Sequence, residues 1–121
     1  MMKVYKISQI EKQQRKSHLF TGPVEVQSII GRDQSKMFRI NQVNFGMEVR
    51  NKFHSHTSDQ ILIVTKGEGI VATEKEGFTV FPGDIIFIPH GETHRHGAAK
   101  DSTFSHLTVM SPDSETTQIE K

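Results

Sequence analysis

The sequence predicts an all-β protein that folds as a jelly-roll barrel, with about eight short strands in two antiparallel layers. Short runs rich in β-branched and aromatic residues are separated by turn residues about every 8–12 positions. No long segment carries the helical period of an amphipathic helix. Many short strands with regular turns are typical of sandwiches and small barrels, among which the jelly roll is the eight-stranded form.

The predicted strands occupy the middle of the chain, and polar segments flank them. We interpret residues 1–18 as an N-terminal extension, residues 19–110 as the barrel, and residues 111–121 as a polar tail that is loose at its end. The runs that predict strands are Val24 to Ile30, Met37 to Phe45, Gln60 to Thr65, Gly69 to Thr73, Phe78 to Phe81, Ile85 to Ile88, His94 to Gly97 and Thr103 to Val109.

Composition limits the classes of function. The 121 residues predict one domain, and the net charge of +1 comes from scattered charges. We therefore expect neither nucleic acid nor an anionic membrane as a partner. Cysteine is absent, which excludes disulfides and thiol nucleophiles. The apolar runs are too short for a membrane span or a signal peptide, and we expect a cytoplasmic protein.

Histidines mark the candidate functional site, since six of the seven lie between residues 54 and 106. His54 and His56 are two apart in a predicted strand, so their side chains share one face about 6–7 Å apart and can converge on one ion. A turn then brings Gln60 back beside the pair, and His94 begins a later strand. Asp59 is the rival of Gln60 as a ligand, but the turn is expected to aim it outward.

The spacing of these residues resembles that of the cupin family. The first cupin motif corresponds to His54-x-His56-x3-Gln60-x6-Gly67. The second corresponds to Gly83-x5-Pro89-x-Gly91-x2-His94. The resemblance extends from about Phe20 to Met110 and includes both motifs, which together are a specific signal. It implies a cupin barrel in which His54, His56, Gln60 and His94 bind one divalent transition metal ion.

The local sequence is similar to one branch of cupins. That branch includes manganese-dependent hydroxynitrile lyases of bacteria and cupins associated with carboxymuconolactone decarboxylases. The resemblance implies that His96 and His106 line the cavity. A structural role for either histidine remains an alternative. One departure from the family concerns Glu48, which occupies a position where the first motif usually has glycine. Another concerns Gln60, which stands where most cupins have glutamate, although this branch shows the same substitution.

The chemistry of the donor set limits the metal. Three imidazoles and an amide oxygen suit Mn, Fe, Co, Ni or Zn better than Ca or Mg, and the resemblance favours Mn. Because Gln60 is neutral, the site would keep the full charge of the ion and favour an anionic ligand or a hydroxide. Four protein ligands on an ion that prefers six would leave two positions open for a substrate.

Two classes of function follow. The first is an enzyme acting on a small organic substrate. It would be a lyase in which the metal is a Lewis acid and His106, in preference to His96, moves a proton, or else a dioxygenase. The second is a non-catalytic binder of a small ligand. Arg50 is expected to form a structural ion pair rather than to bind an anionic substrate. We also expect a homodimer that pairs through residues 1–10.

Overall fold

The computed structural model describes residues 1–121 and confirms the all-β fold predicted from the sequence. Eleven strands form the molecule, and the other regular element is a single 3-10 turn at Ile7–Gln9. The strands are β1 (Gln13–Gln14), β2 (Val24–Ile30), β3 (Arg39–Phe45), β4 (His54–His56), β5 (Gln60–Gly67), β6 (Gly69–Thr73), β7 (Gly77–Val80), β8 (Ile85–Ile88), β9 (His94–Ala98), β10 (Phe104–Met110) and β11 (Thr116–Gln118).

The strands form two antiparallel sheets. The first has six strands in the order β1-β2-β3-β10-β5-β8, and the second has five in the order β11-β4-β9-β6-β7. A core of ten buried apolar residues draws on both sheets, with Leu62 and Phe104 from the first and Val71 and Val80 from the second. Burial of this apolar face is the main force that holds the two sheets together. No helix has the length and apolar character that a membrane span requires.

The register of β3 and β10 shows which side chains face the interior. The even-numbered residues of β10, from 104 to 110, are all buried. The odd-numbered residues of β3, from 39 to 45, lie directly opposite them, and directly paired residues share one face of a sheet. At one end this face pairs Phe45 with Phe104, whereas at the other it pairs Arg39 with Met110. The interior is therefore apolar at one end and more polar at the other.

The C-terminal segment is an ordered part of the second sheet, which differs from the loose tail expected from its polar sequence. β11 pairs with β4, so that Thr116 lies opposite His56. Two residues past β11, the carboxylate of Glu120 accepts two hydrogen bonds from Arg50, at 2.9 and 3.1 Å, and a third from the backbone N–H of Phe53. These bonds lower the pKa of Glu120 to about 2. This strand could not be predicted from the sequence, because all its residues are exposed and polar.

The N-terminal segment is also attached to the barrel. β1 pairs with β2, and the amide of buried Gln27 donates hydrogen bonds to the carbonyl oxygens of Ile7 and Ile10, each at 2.8 Å. A buried amide that satisfies two carbonyls gives the 3-10 turn a fixed position on the first sheet. Arg15, just after β1, donates its backbone N–H to Val24. That bond brings the Arg15 side chain to the rim of the barrel interior.

Candidate metal centre

Three histidines from two adjacent strands converge inside the barrel. His54 and His56 belong to β4, and His94 belongs to β9, where it pairs directly with His54. One ring nitrogen of each residue lies within 4.8 Å of the corresponding atom of the other two. All three side chains are buried. The i, i+2 spacing predicted a common face for His54 and His56, and the strand pairing brings His94 beside them.

Hydrogen bonds fix the orientation of the three rings. Nδ1 of His54 lies 2.6 Å from the carbonyl oxygen of Lys52, and Nδ1 of His94 lies 2.8 Å from that of Glu92. A carbonyl can only accept, so both Nδ1 atoms carry the proton and donate it. Nε2 of each ring is then left with a free lone pair, which is the state of a metal-binding imidazole. Nδ1 of His56 is held differently, at 2.9 Å from Oγ1 of Thr116.

Gln60 reaches the same place from the opposite sheet. It is the first residue of β5, it is buried, and it borders the same cavity as His54 and His56. Three buried polar atoms here have no hydrogen-bond partner: Oε1 of Gln60, Nε2 of His56 and Nε2 of His94. Buried polar atoms are normally satisfied, and each exception calls for an explanation. A divalent cation would satisfy all three, so these residues fit the metal that the donor set suggests.

Asp59 stands apart from this cluster. Its carboxylate accepts a hydrogen bond from the backbone N–H of His90 at 2.9 Å and lies 3.1 Å from the Nδ1 atom of that ring. Both side chains are mostly exposed. The turn after His56 therefore aims Asp59 outward, where it holds the Pro89-x-Gly91 turn.

Burial keeps the clustered histidines neutral. Desolvation, followed by repulsion from His94, lowers the pKa of His54 to about 4. Desolvation, followed by repulsion from His54 and His94, lowers the pKa of His56 to about 3. Burial also lowers the pKa of His94. At neutral pH the three rings are thus in their neutral form, with one N–H each, and they can bind a cation through the other nitrogen without first losing a proton.

A cavity of about 140 Å³ lies beside the cluster. Its wall combines polar residues with an apolar surface from Leu19, Phe20, Val43 and Phe45. His94 borders a second cavity, of about 130 Å³, between β8 and the strands β6 and β9. The histidine cluster therefore lies between two small cavities. His54, His56, Gln60 and His96 border the first, and His94 borders the second.

His96 and His106 form a hydrogen-bonded pair next to the cluster. Nε2 of His106 lies 3.0 Å from Nδ1 of His96, and both residues are fully buried. His96 borders the first cavity, whereas His106 is not among the residues that line it. The sequence-based expectation that His106, in preference to His96, faces the cavity differs from the structure, in which His96 borders the cavity and His106 bonds to the ring of His96 from its other side. Burial lowers the pKa of both, that of His106 to about 4.

Asn51 orients this pair, and sequence reasoning missed it. Its Oδ1 accepts the backbone N–H of His96 at 2.8 Å, so its Nδ2, 3.1 Å from Nε2 of the same ring, must donate. Nε2 of His96 therefore accepts, Nδ1 carries the proton, and Nε2 of His106 receives it. The approach depends on Gly97, where a Cβ would collide with the backbone of Arg50. Asn51 belongs to no strand run or motif in the sequence. It is held by an isolated β-bridge to Phe20, which lies far from it along the chain.

Two facing β-sheets that enclose a cluster of histidines define this molecule as a small cupin barrel. Residues 46–110 match the family described as the cupin domain, which is more than half of the chain. The protein therefore belongs to the cupin family, as the two motifs indicated.

Known relatives share the fold at different levels of similarity. An (R)-mandelonitrile lyase from Granulicella tundricola is 33% identical over 94 residues, which cover 75% of this chain and 70% of that protein. A cupin-like protein from Thermotoga maritima has 27% identity and a TM-score of 0.86, over 93% of this chain and 89% of the other. A polyketide cyclase from Streptomyces resistomycificus has 18% identity and a TM-score of 0.88, over 100% and 87% of the two chains. This last likeness concerns the fold alone.

Proposed function

We propose that this cupin is a metal-dependent lyase that acts on a small organic substrate. The observation that carries the proposal is the set of unpartnered buried atoms of Gln60, His56 and His94 beside an oriented pair of neutral histidines. His54, His56, Gln60 and His94 would hold the metal, and manganese is the ion we propose. The similarity to a mandelonitrile lyase supports the choice of reaction class.

The proposed chemistry uses the protein's own residues to position the substrate and move a proton. A bound divalent ion would supply Lewis acidity toward a hydroxyl or carbonyl oxygen. In the free protein the Asn51 amide donates to Nε2 of His96 and so keeps that atom in its acceptor state. A substrate hydroxyl would replace this amide at the single lone pair of Nε2 and transfer its proton there. The electrons of the O–H bond form a carbonyl as the adjacent carbon–carbon bond breaks. The bonding electrons of that carbon–carbon bond leave with the departing group.

His106 supports this step from behind His96. When Nε2 of His96 gains a proton, its Nδ1 proton can pass to Nε2 of His106 over the 3.0 Å hydrogen bond. Nδ1 of His106 lies 3.2 Å from Oγ1 of Thr108, which extends the chain of hydrogen bonds. The apolar wall around Phe45 excludes water and strengthens these polar contacts. This pair favours the lyase over the dioxygenase, which needs no such proton carrier.

Assembly and location are part of the same proposal. We propose a cytoplasmic homodimer that pairs through residues 1–10. Exposed apolar side chains at Met1, Met2 and Val4 support this assembly, because contact with a second copy would remove them from water. Sedimentation at micromolar concentration checks it, and a monomer would contradict it.

Metal analysis tests the proposed function. We expect about one transition metal ion in each purified chain and a loss of that ion in His54→Ala and His94→Ala. Asp59→Asn is the matched control and should retain the ion, since Asp59 only contacts His90. Turnover is then measured on a panel of cyanohydrins and catechols. Cleavage of a cyanohydrin supports the lyase, and oxygen uptake with a catechol would replace it by the dioxygenase. If this panel, extended to small hydroxy-carboxylates, gave no turnover at all, the result would indicate the non-catalytic binder.

A further inference from the structure

Two arginine side chains border the first cavity, in addition to the candidate metal centre. Among its sixteen lining residues are Arg15 and Arg39, and none is aspartate or glutamate. Neither arginine has a carboxylate within 4.0 Å, because the ion pairs of the protein are Arg50 with Glu120 and His90 with Asp59. The space beside the histidine cluster is therefore bordered by positive charge without protein counter-charges.

Arg39 is directed toward this space by the architecture of the sheet. It lies opposite Met110 on the inward face that also carries Asn41, Thr108 and His106. Arg39 borders the same cavity as His54 and His56 of the cluster. Strand register thus places a fixed cation beside the candidate metal centre.

The hydrogen-bonding capacity of Arg39 is largely unused. Its Nη2 has two weak contacts, 3.4 Å to Sδ of Met110 and 3.5 Å to the carbonyl oxygen of Ser114. Its Nε is buried and has no partner. Two positions along the same face, the buried Oδ1 of Asn41 also lacks a partner. Arg39 is half-buried, and its buried Nε and weakly bonded Nη2 leave donors of the guanidinium available for an anion that enters the cavity.

From this arrangement we propose that the substrate is a small carboxylate, bound by Arg39 with Arg15 at the rim of the cavity. The proposal rests on the proposed function and adds the substrate class to it. A carboxylate matches the planar fork of a guanidinium, and Asn41 can bond a neighbouring hydroxyl. The hydroxyl-bearing carbon of such a substrate would then face His54, Gln60 and His96. A neutral cyanohydrin would leave the guanidinium without a partner.

Calorimetric titration of the manganese-loaded protein, residues 1–121, tests the proposal with lactate as the probe. Lactamide is the matched neutral ligand, because it has nearly the same size and shape. We expect Arg39→Gln to weaken lactate binding by about 10- to 100-fold and to leave lactamide binding unchanged. Arg39→Lys, which keeps the charge but loses the fork, should give an intermediate affinity. The Lys variant also keeps the test open if the Gln variant folds poorly.

Arg32→Gln is the matched charge control. Arg32 is exposed and lies near enough to Arg39 to lower its pKa, but it does not line the cavity. We expect it to change lactate affinity by no more than about twofold. Equal losses in Arg32→Gln and Arg39→Gln, or none in Arg39→Gln, would overturn the proposal, as would equal affinities for lactate and lactamide.

The titration is repeated on chelator-treated protein so that the two proposals fail separately. If Arg39 binds the carboxylate of lactate, the difference in lactate affinity between the wild type and Arg39→Gln persists without metal. A chain that never binds metal would refute the metal-dependent lyase, while this comparison would still decide the carboxylate site. Conversely, a chain with bound metal whose lactate affinity ignores Arg39 would refute the carboxylate site alone.

Discussion

Oγ1 of Thr116 lies 2.9 Å from Nδ1 of His56, so the last strand of the protein orients a histidine of the candidate metal centre. Thr116 also faces His56 directly in the pairing of β11 with β4. Outer partners of this kind fix the orientation of an imidazole and raise its basicity as a ligand. The C-terminal strand therefore has a place in the chemistry of the site as well as in the sheet.

Thr116→Val should weaken metal binding while the fold is retained. Valine has nearly the shape of threonine but cannot hydrogen-bond to His56. Loss of such an outer partner typically costs about 10- to 100-fold in metal affinity. Because the change also leaves Nδ1 of the buried His56 without its partner, we expect it to lower the free energy of unfolding by about 1–3 kcal/mol. Competition with a chromogenic chelator measures the affinity, and urea denaturation measures the stability.

Two variants accompany that measurement. Thr116→Ser keeps the hydroxyl and should retain most of the affinity. Thr117→Val makes the same change at the next exposed residue of β11, whose side chain has no hydrogen bond to a histidine. An equal loss of affinity in Thr117→Val would mean that the strand acts through general stability rather than through the Thr116 hydroxyl.

The sequence predicted the parts of this molecule whose signals are local. Runs of β-branched residues between turns predicted the strands, and the i, i+2 spacing predicted the common face of His54 and His56. β11 could not be predicted, because an exposed edge strand has neither an apolar run nor an alternating pattern. Asn51 and Arg39 depend on contacts between distant segments, such as the pairing of β3 with β10. Such contacts between distant segments leave no pattern in the local sequence from which they could be predicted.

Glu48 is a site where a substitution should stabilise the protein. Its φ angle is +59°, at the third position of a turn that the Val49 N–H closes on the Gly46 carbonyl. This left-handed conformation costs a residue with a Cβ about 1–2 kcal/mol and costs glycine little. The same position usually has glycine in the first cupin motif. We expect Glu48→Gly to raise the free energy of unfolding by about 1 kcal/mol, as measured by urea denaturation.

Met47→Gly is the control for that variant. Met47 is the adjacent exposed residue of the same turn, but its φ is not positive. Glycine there should lower stability, since it only adds freedom to the unfolded chain. A loss of stability in both variants would contradict the strain at residue 48.

The buried histidines should make the metal-free protein less stable in mild acid. The folded state holds the pKa of His106 at about 4, below its ordinary value of 6.5, because burial disfavours the charged ring. The unfolded chain therefore takes up a proton first as pH falls. The stabilising contribution is complete above about pH 6.5 and is lost progressively toward pH 4. From His106 alone we expect a loss of about 2 kcal/mol between pH 7 and pH 5.

Urea denaturation of chelator-treated protein at pH 7 and pH 5 measures this loss. His106→Gln should reduce the difference in stability between the two pH values, because the glutamine side chain does not titrate. His18→Gln, which makes the same change at an exposed position, is the control for the substitution itself. If the free energy of unfolding of His106→Gln falls between pH 7 and pH 5 by as much as that of the wild type, protonation of His106 does not cause the loss of stability.

Asn51→Asp should reverse the proton order of the pair formed by His96 and His106. In the wild type, the Asn51 amide donates to Nε2 of His96, so Nδ1 of that ring carries the proton. A carboxylate can only accept at neutral pH, and Nε2 of His96 would have to donate to it. Nδ1 of His96 would then accept from Nε2 of His106. Long-range ¹⁵N–¹H correlation spectra of zinc-loaded protein distinguish the two tautomers directly.

The same change should remove the acceptor atom that the lyase proposal assigns to His96. A lost general base costs about 10²–10⁴-fold in rate, so kcat on any cleaved substrate should fall by that amount while metal content stays the same. Asn44→Asp makes the identical chemical change on β3, where Asn44 contacts Ser105 and Gln27 rather than a histidine. It should alter neither the tautomers nor kcat. Unchanged His96 tautomers in Asn51→Asp would show that the amide does not order the pair. Changed tautomers with unchanged kcat would remove His96 from the proton transfer.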